Sequence, residues 1–228
     1  KIISSHLSTV CPSISKDDFI LMDDTDISKK HAKYMEGLEF VKNGDTGEIG
    51  LGYNVLNINA INGHKEMIPL YSKAYSYEMG ALSSNNEIKK AVRGVKKHID
   101  GKGCWIFDRG ADNGIVKDFF IGECSQTIIR LKRNTKLFHK DVAYKASQLV
   151  GKIDFSITQT VTKIKKDKPV LKHYEVGAIP ISYTVKGITH SLWLVVSRNK
   201  KHGGLCYLLV KSKLTTAIEV AKWAFKGY

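Results

Sequence analysis

Three carboxylates fall within four positions, at Asp23, Asp24 and Asp26, directly after the apolar run Phe19–Met22. A fourth, Asp108, directly follows a second apolar run, Cys104–Phe107. Oxygen donors of this type suit a hard divalent cation such as Mg²⁺, and a strand is a rigid mount for them. Short apolar runs read as buried strands. A charge at the rim of a buried strand must meet water, a cation or a hydrogen-bond donor. Taken singly, each aspartate reads more readily as a turn or helix-cap residue than as a metal ligand. Two buried strands that both end on Asp point to a shared metal site more strongly than either motif does alone.

The other chemical resource is cationic. Residues 130–213 hold 18 Lys and Arg against 4 Asp and Glu, while residues 1–129 hold 16 against 17. One segment therefore carries the chain's net charge of +14. A single charge run is usually a solvated surface. An excess this concentrated, in a chain that also carries a carboxylate cluster, suits a polyanion brought to a metal.

The totals set outer limits. With 228 residues, 43% of them apolar, the chain can form one large domain or a domain with a sizeable insertion. No apolar run reaches the length of a membrane span and no signal peptide is visible. Cys11, Cys104, Cys124 and Cys206 form no Cys-x-x-Cys pair, which argues for reduced, mostly buried thiols of a cytosolic protein and against zinc.

The elements that must position these groups follow from periodicity. Residues 1–18 are Ser-rich and read as a linker or irregular entry. Strands are expected at Phe19–Met22, Leu51–Ile61 and Met67–Lys73, the last two joined by a tight turn at Asn62-Gly63-His64. Pro69 marks the third as an exposed edge. Residues 27–49 read as a long polar excursion. Ile88, Ala91, Val92, Val95 and Ile99 predict a helix over Glu87–Ile99, capped by Asn85 or Asn86 and ended by Gly101 and Gly103. The strand Cys104–Phe107, a helix over Ile115–Ile121 stopped by Gly122, and a strand over Thr127–Leu131 follow. Period-two alternation then dominates, at Ile153–Lys165, Val176–Val185, Leu192–Ser197 and Cys206–Lys211. Tyr183 and Trp193 lie in this basic block. Either could stack on bases, although Trp193 between two leucines suits a core better. A last helix over 214–228 is capped by Thr215 or Thr216 and ends without a C-cap, as a cut chain would.

LMDDTDI at 21–27, WIFDRGAD at 105–112, TIIRLK at 127–132, LCYLLVKS at 205–212 and the helix ending in Tyr228 together resemble the DDE transposases of bacterial insertion sequences. The resemblance runs from about residue 17 to the end. It implies an α/β fold: an RNase H-like mixed sheet flanked by helices, with an inserted all-β basic subdomain. The expected divisions are 1–131 for the first part of the core, 132–204 for the insertion, and 205–228 for the return to the core.

The resemblance also implies chemistry. Asp23 and Asp108 would be catalytic carboxylates holding two Mg²⁺ (or Mn²⁺) ions, with Asp24 the weaker candidate for the first position. The third carboxylate would be a glutamate beyond residue 228, on the helix that Tyr228 joins. A piece ending at Tyr228 is then expected to fold without turning over. Glu219 precedes the tyrosine and does not fit the pattern. The implied reaction is Mg²⁺-dependent cleavage and strand transfer of transposon-end DNA by phosphoryl transfer, in a bacterial, nucleoid-associated and cytoplasmic setting. Double-stranded DNA is the implied partner, with a homodimer on DNA and no membrane. Arg109 would touch phosphate or pair with a structural carboxylate. Lys163, Lys165, Lys166, Arg198, Lys200, Lys201 and Tyr228 are the other expected nucleic-acid contacts. A metal-dependent nuclease without strand transfer, or an inactive DNA-binding transposase remnant, would carry the same motifs.

Overall fold

The computed structural model describes every residue except Lys1, Lys30, Lys33, Asp45, Lys166, Asp167 and Tyr228, and the side chains of Ala111 and Lys165. The fold is mixed α/β, with 45% strand against 26% helix, so sheet pleating decides where most side chains point. The chain divides into two compact units, Lys1–Trp105 and Ile106–Tyr228.

In the first unit the long strand β3 (Ile49–Ile61) is the hub. β1 (Phe19–Ser28) runs antiparallel along one edge, in register from Phe19↔Ile61 to Ser28↔Gly52. β2 (Glu39–Lys42) and β4 (Met67–Tyr75) share the other edge. Alternation places Ile20 and Met22 of β1, and Leu56, Ile58 and Ala60 of β3, in the core. The register slips between Ile58 and Asn59, where Asn59 meets Pro69. A proline that cannot donate is tolerated at such an irregularity on an edge strand. α1 (Ile2–Val10) and α2 (Ser84–Ile99) pack with β4. α2 buries Ile88, Ala91, Val92, Val95 and Ile99, the stripe read from the sequence.

Several local expectations need correction. Residues 2–10 are helical. Ser8 and Thr9 turn their hydroxyls back to the carbonyls of Ser4 and Ser5, and Leu7 is buried. Hydroxyls that bond four residues back are compatible with helix, which is why the serines misled. β1 runs six residues past Met22, because β3 offers a partner over its whole length. The aspartates are therefore ladder residues with an exposed face, neither turns nor caps. The excursion over 27–49 contains β2. α2 starts at Ser83, whose side chain accepts the Asn86 N–H, and stops at Asp100 in the left-handed region (φ 50°), ahead of the glycines.

In the second unit the strand order is β6-β12-β11-β10-β7-β8, with β9 on β10. These are β6 (Thr127–Leu131), β7 (Lys136–His139), β8 (Val142–Lys145), β9 (Ile157–Lys165), β10 (Lys168–Val185), β11 (Ile188–Asn199) and β12 (Leu205–Lys211). The strand β5 (Cys104–Phe107), buried at all four residues, is where the chain passes from one unit to the next. Phe107 stacks on Phe120 of α3 (Gly114–Glu123), ring centroids 3.7 Å apart. Burying a phenyl ring contributes about 2–3 kcal/mol. α4 (Ala217–Gly227) lies on β10 and β11, burying Val220, Ala221 and Ala224. Thr216 caps it: its hydroxyl oxygen accepts the Glu219 N–H and its O–H donates to the Glu219 carboxylate.

Here the expected strand over 153–165 begins only at Ile157, after a 3₁₀ stretch at Ala146–Lys152. The hairpin β7–β8 was not anticipated. α3 runs through Gly122 to Glu123, since a helix tolerates an exposed glycine near its end. Among the described residues, no helix is long and apolar enough to cross a membrane.

Candidate functional site

The carboxylates singled out in the sequence fall in different units, and each has its own environment. Asp23 is exposed on β1, opposite Asn57 in the ladder. Asp24 is committed. The buried Tyr75 hydroxyl donates to both its oxygens at 3.0 Å, and the Ser84 hydroxyl donates to Oδ2 at 2.6 Å. That clamp joins β1, β4 and the first residue of α2. Burial, and then the neighbouring Asp24 carboxylate, push the Tyr75 phenol well up, against a lowering contribution from Ser84. Asp26 accepts the Gly44 N–H at 3.1 Å.

Asp108 is exposed at the end of the fully buried β5. Its Oδ1 accepts the Gly110 N–H at 2.5 Å, capping a 3₁₀ turn over Arg109–Ala111. The chemistry of Asp23 and Asp108, exposed oxygen donors on or beside strands, fits a hard cation. Asp24, whose two oxygens already accept from the Tyr75 and Ser84 hydroxyls, has less to offer one. Among the described residues, no group of three or more His, Cys, Asp or Glu could hold a metal ion.

The second unit brings together cations instead. Arg109 leaves the turn just after Asp108. Arg130 sits near the end of β6, opposite Leu208 on β12. Arg133 lies in the turn that follows β6. All three line one cleft of about 540 Å³, with Ser147, Cys206 and Tyr207 among the other walls. That volume lies within the range of small-ligand sites. Guanidinium groups are planar forks that match phosphate and carboxylate oxygens, so the chemistry of three on one concavity suits an anion. Among the described residues, no carboxylate pairs with the side chain of Arg109 or Arg133. Cys206 is half-buried in this cleft. Burial pushes its thiol up, while Arg130 and Arg109 pull the other way. Burial likewise raises the Tyr207 phenol, and Arg133 opposes it.

The other expected contacts are scattered. Lys163 is exposed on β9, opposite Val170, and Lys201 is exposed in the turn after β11. Arg198 donates through Nε and Nη2 to Glu175 Oε2, at 3.0 and 2.7 Å, and lies over the Phe155 ring. Lys200 Nζ is 3.6 Å from the same carboxylate. Arg198 above all holds the Glu175 carboxyl below its usual range. These two cations are thus partly neutralised from within. Trp193 and Tyr183 are half-buried, and the Tyr183 hydroxyl donates to Asp118 at 2.9 Å. Lys165 is a β9 residue, while Lys166 and Tyr228 lie outside the described residues.

Arg130 and Arg133 were missed by sequence reasoning. The signal was available. Ile128 and Ile129 run straight into Arg130, the pattern that picked out Asp23 and Asp108, with a cation in place of the carboxylate. In comparison with known proteins, no family model matches the chain and no curated protein matches it.

Proposed function

We propose that this chain acts on DNA as a DDE-type transposase, built on an RNase H-like core, with the arginine cleft gripping the phosphodiester backbone. The observation that carries the reading is the cleft itself. It takes one wall from Arg109, the residue that directly follows Asp108 of the expected catalytic pair. The concentrated positive charge of residues 130–213 and the motif resemblance support the same reading.

In this reading the cleft arginines bind and orient the backbone phosphates, and Lys163 and Lys201 extend the footprint. Asp23 and Asp108 would hold Mg²⁺, which supplies activation of the attacking oxygen and stabilises the departing one. Asp24 is assigned a structural role, since its oxygens are already engaged by Tyr75 and Ser84.

The binding half is tested by titrating a labelled short duplex at several salt concentrations. Affinity should fall steeply with salt, and Arg130→Ala and Arg133→Ala should each flatten the log–log slope by about one unit. Slopes indifferent to both substitutions would remove the cleft from the DNA footprint. The chemical half needs the expected downstream glutamate. In a chain extended to include it, Mg²⁺ should support strand cleavage and joining, and Asp23→Ala or Asp108→Ala should abolish both while sparing binding. Cleavage without joining would point to a nuclease. Cleavage that survives both substitutions would overturn the assignment.

A further inference from the structure

Asp112 closes the motif Asp108-Arg109-Gly110-Ala111-Asp112, yet it touches no solvent-facing chemistry. It is 7% exposed. Its carboxylate is bonded on three sides. Oδ1 accepts Lys117 Nζ at 2.8 Å, a pair whose side chains are 2% and 8% exposed. Oδ2 accepts the Lys132 backbone N–H at 2.6 Å and the Thr135 hydroxyl. Its own N–H donates to the Arg109 carbonyl at 3.1 Å.

Those partners belong to different walls of the cleft. The Arg109 carbonyl fixes the turn that carries the first arginine. Lys132 and Thr135 open and close the turn that carries Arg133, directly after the strand that carries Arg130. That second turn is bonded onward, from Ser147 N–H to the Arg133 carbonyl at 3.0 Å and from Ala146 N–H to the Thr135 carbonyl at 2.9 Å. Through its backbone N–H and its buried carboxylate, Asp112 therefore ties the Arg109 turn to the turn that carries Arg133.

A charge held this deep is costly unless fully bonded. A fold needing only to join two turns could do so with apolar packing. Charge-assisted bonds add direction, holding their partners within a narrow range of distance and angle. Arginine side chains lose several rotors on binding, so fixing their backbones in advance reduces the cost of the fork geometry.

We infer that Asp112 is a positioning residue. It sets the spacing of Arg109 against Arg130 and Arg133, so that the three guanidinium groups meet a phosphodiester as a preformed set. This rests on the anion reading of the cleft. The experiment compares duplex affinity among variants whose fold is verified by circular dichroism and melting. Thr135→Val removes one bond to Asp112 and leaves the Lys117 pair in place, so it carries the test even where Asp112→Asn does not fold.

Thr135→Val should weaken duplex binding about fivefold, the loss of roughly one hydrogen bond's worth of order. Thr135→Ser, which keeps the hydroxyl, should restore it. On an Arg133→Ala background Thr135→Val should cost less than it does alone, because one of the groups it positions is gone. Full affinity in Thr135→Val, alongside weakened Arg109→Ala and Arg133→Ala, would overturn the positioning role and leave the cleft standing. A loss that adds in full on the Arg133→Ala background would also overturn it. Wild-type affinity in Arg109→Ala and Arg133→Ala would overturn the cleft reading itself, and the inference with it.

Discussion

The two units treat charge in opposite ways. Residues 1–105 carry 14 Lys and Arg against 13 Asp and Glu, and residues 106–228 carry 22 against 9. In the first, acids are satisfied at home. Asp24 is held by two hydroxyls, Asp26 by a backbone N–H, Glu39 by Asn54 and the Tyr77 N–H, and Glu87 by Lys73 and Lys90. In the second, three of the nine acids are spent on structure: Asp112 on a turn junction, Asp118 on Tyr183, Glu175 on Arg198. With 22 cations against 9 acids the unit cannot balance its own charge, so the remainder must come from outside, as small ions or as a polyanion that displaces them. The acids of one unit are ligand-like in the sequence but mostly committed in the fold. The cations of the other look diffuse in the sequence but converge.

The comparison can be broken in three places. The largest effect belongs to Lys117→Met, which strands the buried Asp112 carboxylate and should cost about 3–5 kcal/mol in urea unfolding. The corresponding change in the first unit, Lys90→Met, removes a partner that is 62% exposed and should cost under about 1 kcal/mol. Equal losses would mean that the two units bury their ion pairs alike. Next comes Tyr75→Phe, expected to lose about 1 kcal/mol of stability while duplex affinity holds constant. A drop in affinity instead would bring Asp24 back as a functional group.

The smallest effect is a pH slope. The hydrogen bond from Lys90, reinforced by Lys73, holds the Glu87 carboxyl below its ordinary value. A depressed carboxyl contributes stability above its unfolded pKa, about 4.3, and loses it as the pH falls through the lower folded value. Unfolding midpoints measured between pH 6 and about pH 3 should therefore decline less steeply in Glu87→Gln than in the parent. Parallel curves would show that Glu87 is not a source of the acid sensitivity.

Legibility followed the strength of local patterns. Cys104–Phe107 and Thr127–Leu131 were read to the residue, because a short, mostly apolar run closed by a charged residue has few alternatives. The face of α2 was equally plain. The first helix was hidden because its Ser and Thr are stabilised by bonds to their own backbone, which composition does not reveal. β1 was cut short because a strand's length is set by its partner. The carboxylates were visible as types, but the commitment of Asp24 depends on Tyr75 and Ser84, which are 51 and 60 positions away. The cleft was harder still, since Arg109 comes from one segment and Arg130 and Arg133 from another, joined by a carboxylate that reads in sequence as an ordinary motif terminus.

Cys206 gives the cleft a native reporter. Cys11, Cys104 and Cys124 are buried, whereas Cys206 is reached from the cleft. A thiol reagent should therefore modify one site first, more quickly as the pH is raised to ionise the burial-shifted sulfur. Whatever fills the space between the arginines would slow that modification, so occupancy can be followed colorimetrically, without a fluorophore on the DNA and without altering a single codon.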